Sequence, residues 1–268
     1  MSSIDIASYE HVRLSLDERG ILTATITNPE KRNAFNDDIG ADLHRLWRDA
    51  DDDPNVRVIV FTGAGNAFCA GIDLGRLTGG PRARRDTRTA PKDTRDRVFD
   101  IVDCQTPTIA KVRGPAYGMG VNLALACDFV IAAEDARLCD SHVKNGIAAG
   151  DGGVAFFPLM VGFRRAKELL MLGEVLSGKE AAEIGLINKA VPESELDSTV
   201  DALAVRLANE APLALAFTKL SLNIMLKQLT MGAFETSIAY DLLTLRTDDV
   251  AEGARAFLEK RPPKFTGN

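Results

Sequence analysis

The residues that can do chemistry here gather around two glycine-rich stretches. The first is Gly63-Ala64-Gly65-Asn66-Ala67-Phe68-Cys69-Ala70-Gly71-Ile72-Asp73-Leu74. Its small residues at 69–71 let a ligand approach the main chain. A free N–H there can donate to an oxygen that is gaining negative charge. The second is Gly114-Pro115-Ala116-Tyr117-Gly118-Met119-Gly120-Val121-Asn122. It opens a helical stretch, so its first N–H groups lack helical partners and sit at the positive end of the helix dipole, which suits an anion. Neither stretch has the GxxxxGK[ST] of a P-loop or the full GxGxxG of a dinucleotide fingerprint. Each alone is also compatible with a plain turn. Lying about fifty residues apart, the two can converge on one oxygen.

Metal chemistry has little to build on. The three histidines, His11, His44 and His142, are scattered and form no HExxH. The four cysteines, Cys69, Cys104, Cys127 and Cys139, form no CxxC pair. They are expected to be buried free thiols in a reducing compartment. The expected metal ligands are therefore none.

Each glycine-rich stretch follows an apolar, β-branched run, VRVIVFTG at 56–63 and TIAKVRG at 108–114, and both runs read as buried strands. Upstream, HVRLSL and ILTATIT alternate on either side of a turn at Asp17–Gly20, which predicts a strand pair. Ile39, Leu43, Leu46 and Trp47 share one helical face, with Asn36 placed to cap it. CDFVIAAE adds another strand. Beyond residue 152 the spacing is helical, in RRAKELLMLG, GKEAAEIGL, 194–209, 212–229, about 231–246 and 248–260. The fold class is α/β, with a core over 1–200 and a helical C-terminal region over 201–268. Segment 78–97 is rich in arginine and poor in large apolar residues. It reads as a solvated loop leading into a helix near 97–102, as a lid or cationic rim for phosphates, or as a nucleic-acid contact.

The net charge of −6 argues against nucleic acid as a partner. It says nothing against an anionic substrate, because only the field at the site matters. No apolar stretch is long enough to span a bilayer, and the first residues carry no basic leader. The expectation is a cytoplasmic protein.

Taken in order, several motifs resemble the enoyl-CoA hydratase/isomerase family, the crotonase fold. They are NPEKRNAF at 28–35, VRVIVFTGAGNAFCAGIDL at 56–74, KVRGPAYGMGVNLALACDFVIAAEDARL at 111–138, GIAAGDGG at 146–153, LSGKEAAEIGLINKAVP at 176–192 and FLEKRPPKF at 257–265. The resemblance covers nearly the whole chain. It implies a spiral of ββα units followed by a helical trimerisation region, hence a homotrimer or a dimer of trimers. It also implies an acyl-CoA thioester substrate, whose CoA makes any separate cofactor unnecessary.

The resemblance assigns the thioester oxygen to two backbone donors, the N–H groups of Ala70 and Met119. Two preoriented donors in a dry site stabilise an enolate by about 3 kcal/mol each. A backbone donor tolerates any side chain but proline, so Met119 is acceptable there. Ala70, Gly71, Ile72, Asp73 and Leu74 would line the CoA and acyl site. Lys31, Arg32, Ala34, Phe257 and Lys260 are assigned to CoA, the C-terminal pair reaching a neighbouring subunit's ligand in relatives. The two glutamates typical of hydratases fall at Asn122 and His142, and neither is a glutamate here. Asn122 can orient water but cannot act as a base. His142 reads as an acid/base group or as a structural histidine, with Asp140 close enough in sequence to orient it. Asp151 reads either as a helix N-cap or as a carboxylate projecting into the acyl pocket. The reading is an enoyl-CoA hydratase-like enzyme. The alternatives are an isomerase, a thioester hydrolase, or a non-catalytic protein that binds acyl-CoA or RNA.

Overall fold

The computed structural model describes residues 4–78 and 90–268. The chain opens with β1 (Val12–Leu16) and β2 (Ile21–Ile26), antiparallel, with Leu14 opposite Ala24. Helix α1 (Asp37–Asp52) follows. The Asn36 side chain accepts the Ile39 N–H at 2.8 Å, the cap that the pattern predicted. Strand β3 (Val58–Gly63) is buried at all six positions, which is why it reads as an uninterrupted apolar run. Next come α2 (Ala90–Asp103), β4 (Thr108–Val112), β5 (Pro115–Tyr117) and α3 (Met119–Ala126). They are followed by β6 (Phe129–Ala133), β7 (Arg137–Cys139) and α4 (Gly153–Leu172), the last broken by non-helical geometry at Gly162. The remainder is β8 (Leu176–Ser177), α5 (Gly178–Glu183), β9 (Lys189–Val191), α6 (Glu193–Ala208), α7 (Pro212–Thr244) and α8 (Asp248–Leu258).

Six strands form one sheet in the order β1-β2-β3-β4-β6-β9, parallel from β2 onward. Strands β5, β7 and β8 make a second, smaller sheet. Two turns of the chain, β4-β5-α3 and β6-β7-α4, each give one strand to each sheet before a helix closes them. The core includes Trp47, Phe61 and Phe68, stacked edge to face at 5.5 and 5.2 Å. Burying each such side chain contributes about 1.5–3 kcal/mol, so this stack anchors β3 and the loop after it.

Three expectations change. The stretches 212–229 and 231–246 are one helix, α7, which continues through Gly232. Glycine inside a helix costs about 1 kcal/mol. Phe234 and Ile238, both fully buried, offset this, with the Phe234 ring against Phe99 of α2 at 5.2 Å. The chain beyond 152 is also not wholly helical, because β8 and β9 extend the two sheets. Finally, the helix expected near 97–102 already begins at Ala90. Arg82, Arg84, Arg85 and Arg88, the heart of the basic segment, lie outside the described residues. Among the described residues no helix is long and apolar enough to cross a membrane.

Candidate active site

The two glycine-rich loops meet. Cys69 and Ala116 form a parallel bridge, in which the Tyr117 N–H donates to the Cys69 carbonyl at 2.9 Å and the Phe68 and Cys69 N–H groups to the Pro115 carbonyl at 3.1 Å. Gly71 sits at φ +83°, and a Cβ there would lie 2.6 Å from the Tyr117 carbonyl oxygen. Only glycine permits that contact. From the other side, Asn33, fully buried, donates its amide to the Ala64 and Ala67 carbonyls, both at 2.8 Å. Sequence reasoning missed Asn33; its signal is an asparagine in the left-handed turn of NPEKRN, at φ 57°.

A cavity opens where the loops meet, lined by Ala70, Gly71, Ile72 and Leu74 from the first and by Gly118 and Met119 from the second. Met119 is the first residue of α3, so its N–H has no partner within the helix. The Ala70 N–H is different. It donates to the Arg32 carbonyl at 3.0 Å and is not free to bind a ligand oxygen. The Ile72 N–H, two residues on, makes no backbone hydrogen bond among the described residues. The N–H expected as a donor at Ala70 is thus occupied, because the 32–35 segment pairs with residues 70–72.

Four buried side chains form a closed ring beside these loops. Asp140 Oδ1 and His142 Nδ1 are 2.5 Å apart, and His142 Nε2 and Asp151 Oδ2 are 3.0 Å apart. The Asn122 amide nitrogen donates to Asp151 Oδ1 at 2.6 Å and to Asp140 Oδ2 at 3.2 Å. Burial disfavours a charged His142, but the charges of Asp151 and Asp140 and their hydrogen bonds outweigh it and hold the imidazolium well above its usual pKa. Asp140 is buried too, yet the His142 charge and hydrogen bonds from His142 and Asn122 hold its carboxyl below the usual carboxylate range. The oxygens and nitrogens of Asp140, His142 and Asp151 are close enough to share a metal ion. In this arrangement they bond to one another.

Two of the four, His142 and Asp151, reach the cavity wall. Asn122 is fully buried and is not on that wall, its amide engaged by the two carboxylates. Asp151 is not an N-cap either. Gly152 caps α4, without a side-chain hydrogen bond, and Asp151 turns inward instead. The bareness of Gly153 allows the ring to close, since a Cβ there would sit 2.2 Å from Asp140 Oδ2. Cys69 is no nucleophile: burial pushes its thiol up to about 12.

The same architecture recurs among known proteins. The family model for enoyl-CoA hydratase/isomerase matches residues 17–268. The chain belongs to the enoyl-CoA hydratase/isomerase family. Among the family's members, the 1,2-epoxyphenylacetyl-CoA isomerase of Escherichia coli K12 is 34% identical, over 95% of this chain and 98% of that one. The crotonyl-CoA hydratase of Syntrophomonas wolfei is 33% identical, over 96% of this chain and 98% of that one. The crystal structure of an enoyl-CoA hydratase/isomerase from Xanthobacter autotrophicus Py2 superposes with a TM-score of 0.86 at 30% identity, covering 97% of this chain and all of that one. The fold is therefore the crotonase fold, with its helical C-terminal region.

Family membership makes the remaining positions worth locating. Lys31 pairs through Nζ with Asp73 Oδ2 at 2.9 Å, at the exposed rim of the loop. Arg32 is exposed, and Ala34 is buried beside it but off the cavity wall. Asp73 also accepts the Gly75 N–H at 3.1 Å. Phe257 in α8 and Lys260 just after it are exposed, and neither is on the cavity wall of its own chain. Helices α2 and α7 supply wall residues that sequence reasoning did not single out, Thr94, Arg97 and Asp241. Asp241 had a readable signal. It lies on the same face of α7 as Phe234 and Ile238, so a carboxylate interrupts a buried apolar stripe.

Proposed function

We propose that this protein forms the enolate of an enoyl-CoA thioester and moves its double bond, with Asp151 carrying the proton. The thioester oxygen would be held by the Ile72 and Met119 N–H groups. Asp151 would take a proton from C2 and return it to C4 of the conjugated enolate. One carboxylate suffices for that shift, because it gives back the proton it took. The observation that carries the reading is the Asn122 amide, which stands where a water-activating glutamate is expected. It is buried, donates to two carboxylates and has no basic atom. This chemistry calls for no cofactor beyond the CoA of the substrate.

A second reading, hydration, is favoured by Asp241. It brings another carboxylate to the cavity from α7, and hydration needs one group for water and one for the proton at C2. The two readings separate by absorbance of the conjugated thioester. With 3-enoyl-CoA the isomerase raises it; with 2-enoyl-CoA the hydratase lowers it. The expected result is a rise that Asp151→Asn abolishes and Asp241→Asn does not. Loss of 2-enoyl-CoA in the wild type, abolished by either variant, would replace isomerisation with hydration.

The proposed assembly is a homotrimer or a dimer of trimers. Support comes from large apolar side chains left exposed on α4 and α7, among them Phe163, Met171, Leu213, Phe217 and Leu229. Light scattering of the purified chain tests it; a monomer at micromolar concentration would count against it.

A further inference from the structure

We propose that Asp140 and His142 are a positioning pair, an imidazolium clamped between two carboxylates that holds Asp151 at the cavity wall, and that neither exchanges a proton with the substrate. This rests on Asp151 as the proton carrier.

The geometry of the ring makes the case. A neutral imidazole has one N–H and one lone pair. Both ring nitrogens of His142 face carboxylate oxygens, at 2.5 and 3.0 Å. A neutral ring would turn its lone pair against one of them; an imidazolium satisfies both. Asn122 donates to the two remaining carboxylate oxygens. Each carboxylate therefore receives one ring N–H and one amide N–H, and one cation sits between two anions. If His142 gave up its proton, two buried carboxylates would be left facing each other across an uncharged ring. His142 thus fits a fixed charge better than a proton shuttle.

Asp140 cannot act on a substrate directly. Its side chain is 1% exposed and is not on the cavity wall. Its effect passes through Nδ1 of His142. Asp151 keeps lone pairs free on both oxygens and faces the cavity, so it alone of the ring is both basic and reachable. Among the described residues, the other charged or titratable groups near it are Asp241 from α7, whose Cβ packs on Gly150, Arg97 of α2 on the cavity wall, and the neutral Cys69 thiol. None of these replaces the contact His142 makes.

The first measurement needs no variant and no turnover. In the full chain labelled with 15N-histidine, both ring nitrogens of His142 should still be protonated at about pH 7.5, above the ordinary imidazole value. A ring that titrates near 6.5 overturns the proposal. The second measurement is the pH profile of kcat/KM. His142→Gln keeps an N–H donor and removes the charge. It should move the acidic limb upward while the alkaline plateau stays within about tenfold of wild type. Asp140→Asn should move the same limb in the same direction and make the His142 ring titrate. A His142→Gln enzyme that loses about 100-fold or more at every pH would make His142 the proton carrier and end the proposal. If Asp151→Asn stays active while the ring nitrogens remain protonated, the choice of base is wrong and the charge state of the pair stands.

Discussion

Replacing Met119 with proline removes one N–H from the start of α3 without breaking a main-chain bond of the helix. Met119 is the first helical residue, a position where proline is favoured because its fixed φ matches the helix and its missing N–H has no helical partner. The first main-chain bond of the helix runs from the Asn122 N–H to the Gly118 carbonyl at 3.3 Å and does not involve residue 119 as donor. Gly118, at φ 51° and ψ −121°, lies outside the α region that a following proline disfavours. The Met119 side chain is 6% exposed and packs in the core. Its loss costs about 2–5 kcal/mol of stability, in Met119→Ala as in Met119→Pro. The ratio of the two variants isolates the N–H. One oxyanion donor is worth about 2.7–4 kcal/mol, so Met119→Pro should turn over about 100- to 1,000-fold more slowly than Met119→Ala. The assay is kcat on a 3-enoyl-CoA, supported by exchange of the C2 protons of a saturated acyl-CoA in D2O, which reports the enolate alone. If the two variants agree within about threefold in both assays, the Met119 N–H does not hold the thioester oxygen.

Further expectations follow from single contacts. Gly153→Ala places a Cβ 2.2 Å from Asp140 Oδ2 and 2.9 Å from Leu170 Cδ2, so it should lower stability by about 1–3 kcal/mol and depress turnover with it. Thermal unfolding and kcat check both effects; an unchanged melting temperature would mean that the ring yields freely. His142 has its folded-state pKa raised, so its stabilising contribution is complete below about 6.5 and is lost as pH rises through the folded value. The unfolding free energy of the wild type, measured in urea, should therefore fall relative to His142→Gln as pH rises above 6.5; parallel curves would contradict the raised pKa. Lys219 of α7 pairs with Asp128 at 2.8 Å and donates to the Thr106 carbonyl at 2.9 Å, with 7% of its side chain exposed. Lys219→Met should cost about 3 kcal/mol, the low end for a broken buried pair, since Thr108 still donates to Asp128 through N and Oγ1. Adding Asp128→Asn should recover part of that loss in urea titrations; a larger loss in the double variant would refute the pairing account.

Local pattern alone determined a good deal of this protein. The alternation around Gly20, the apolar runs of β3 and β4 and the Asn36 cap read correctly because their causes lie within a few residues of each other. The two glycine-rich loops were legible for the same reason: each follows a buried strand, and glycine marks close main-chain approach. The order and spacing of the motifs identified the family. What the loops do to individual atoms depended on distant partners. The Ala70 N–H is taken by Arg32, 38 positions earlier, while the Ile72 N–H makes no backbone hydrogen bond among the described residues. Asp151 looked like a cap because its sequence neighbours are a helix start; in the folded chain its partners are Asn122 and His142, 29 and 9 positions away. The charge on His142 is likewise a tertiary property, since an imidazole takes its pKa from whatever carboxylates the fold brings to its two nitrogens. Residue type and short spacing set the elements and the kind of chemistry. Which donor is free, which carboxylate is reachable and which histidine stays charged were decided by the packing of α3, α4 and the 32–35 segment around one cavity.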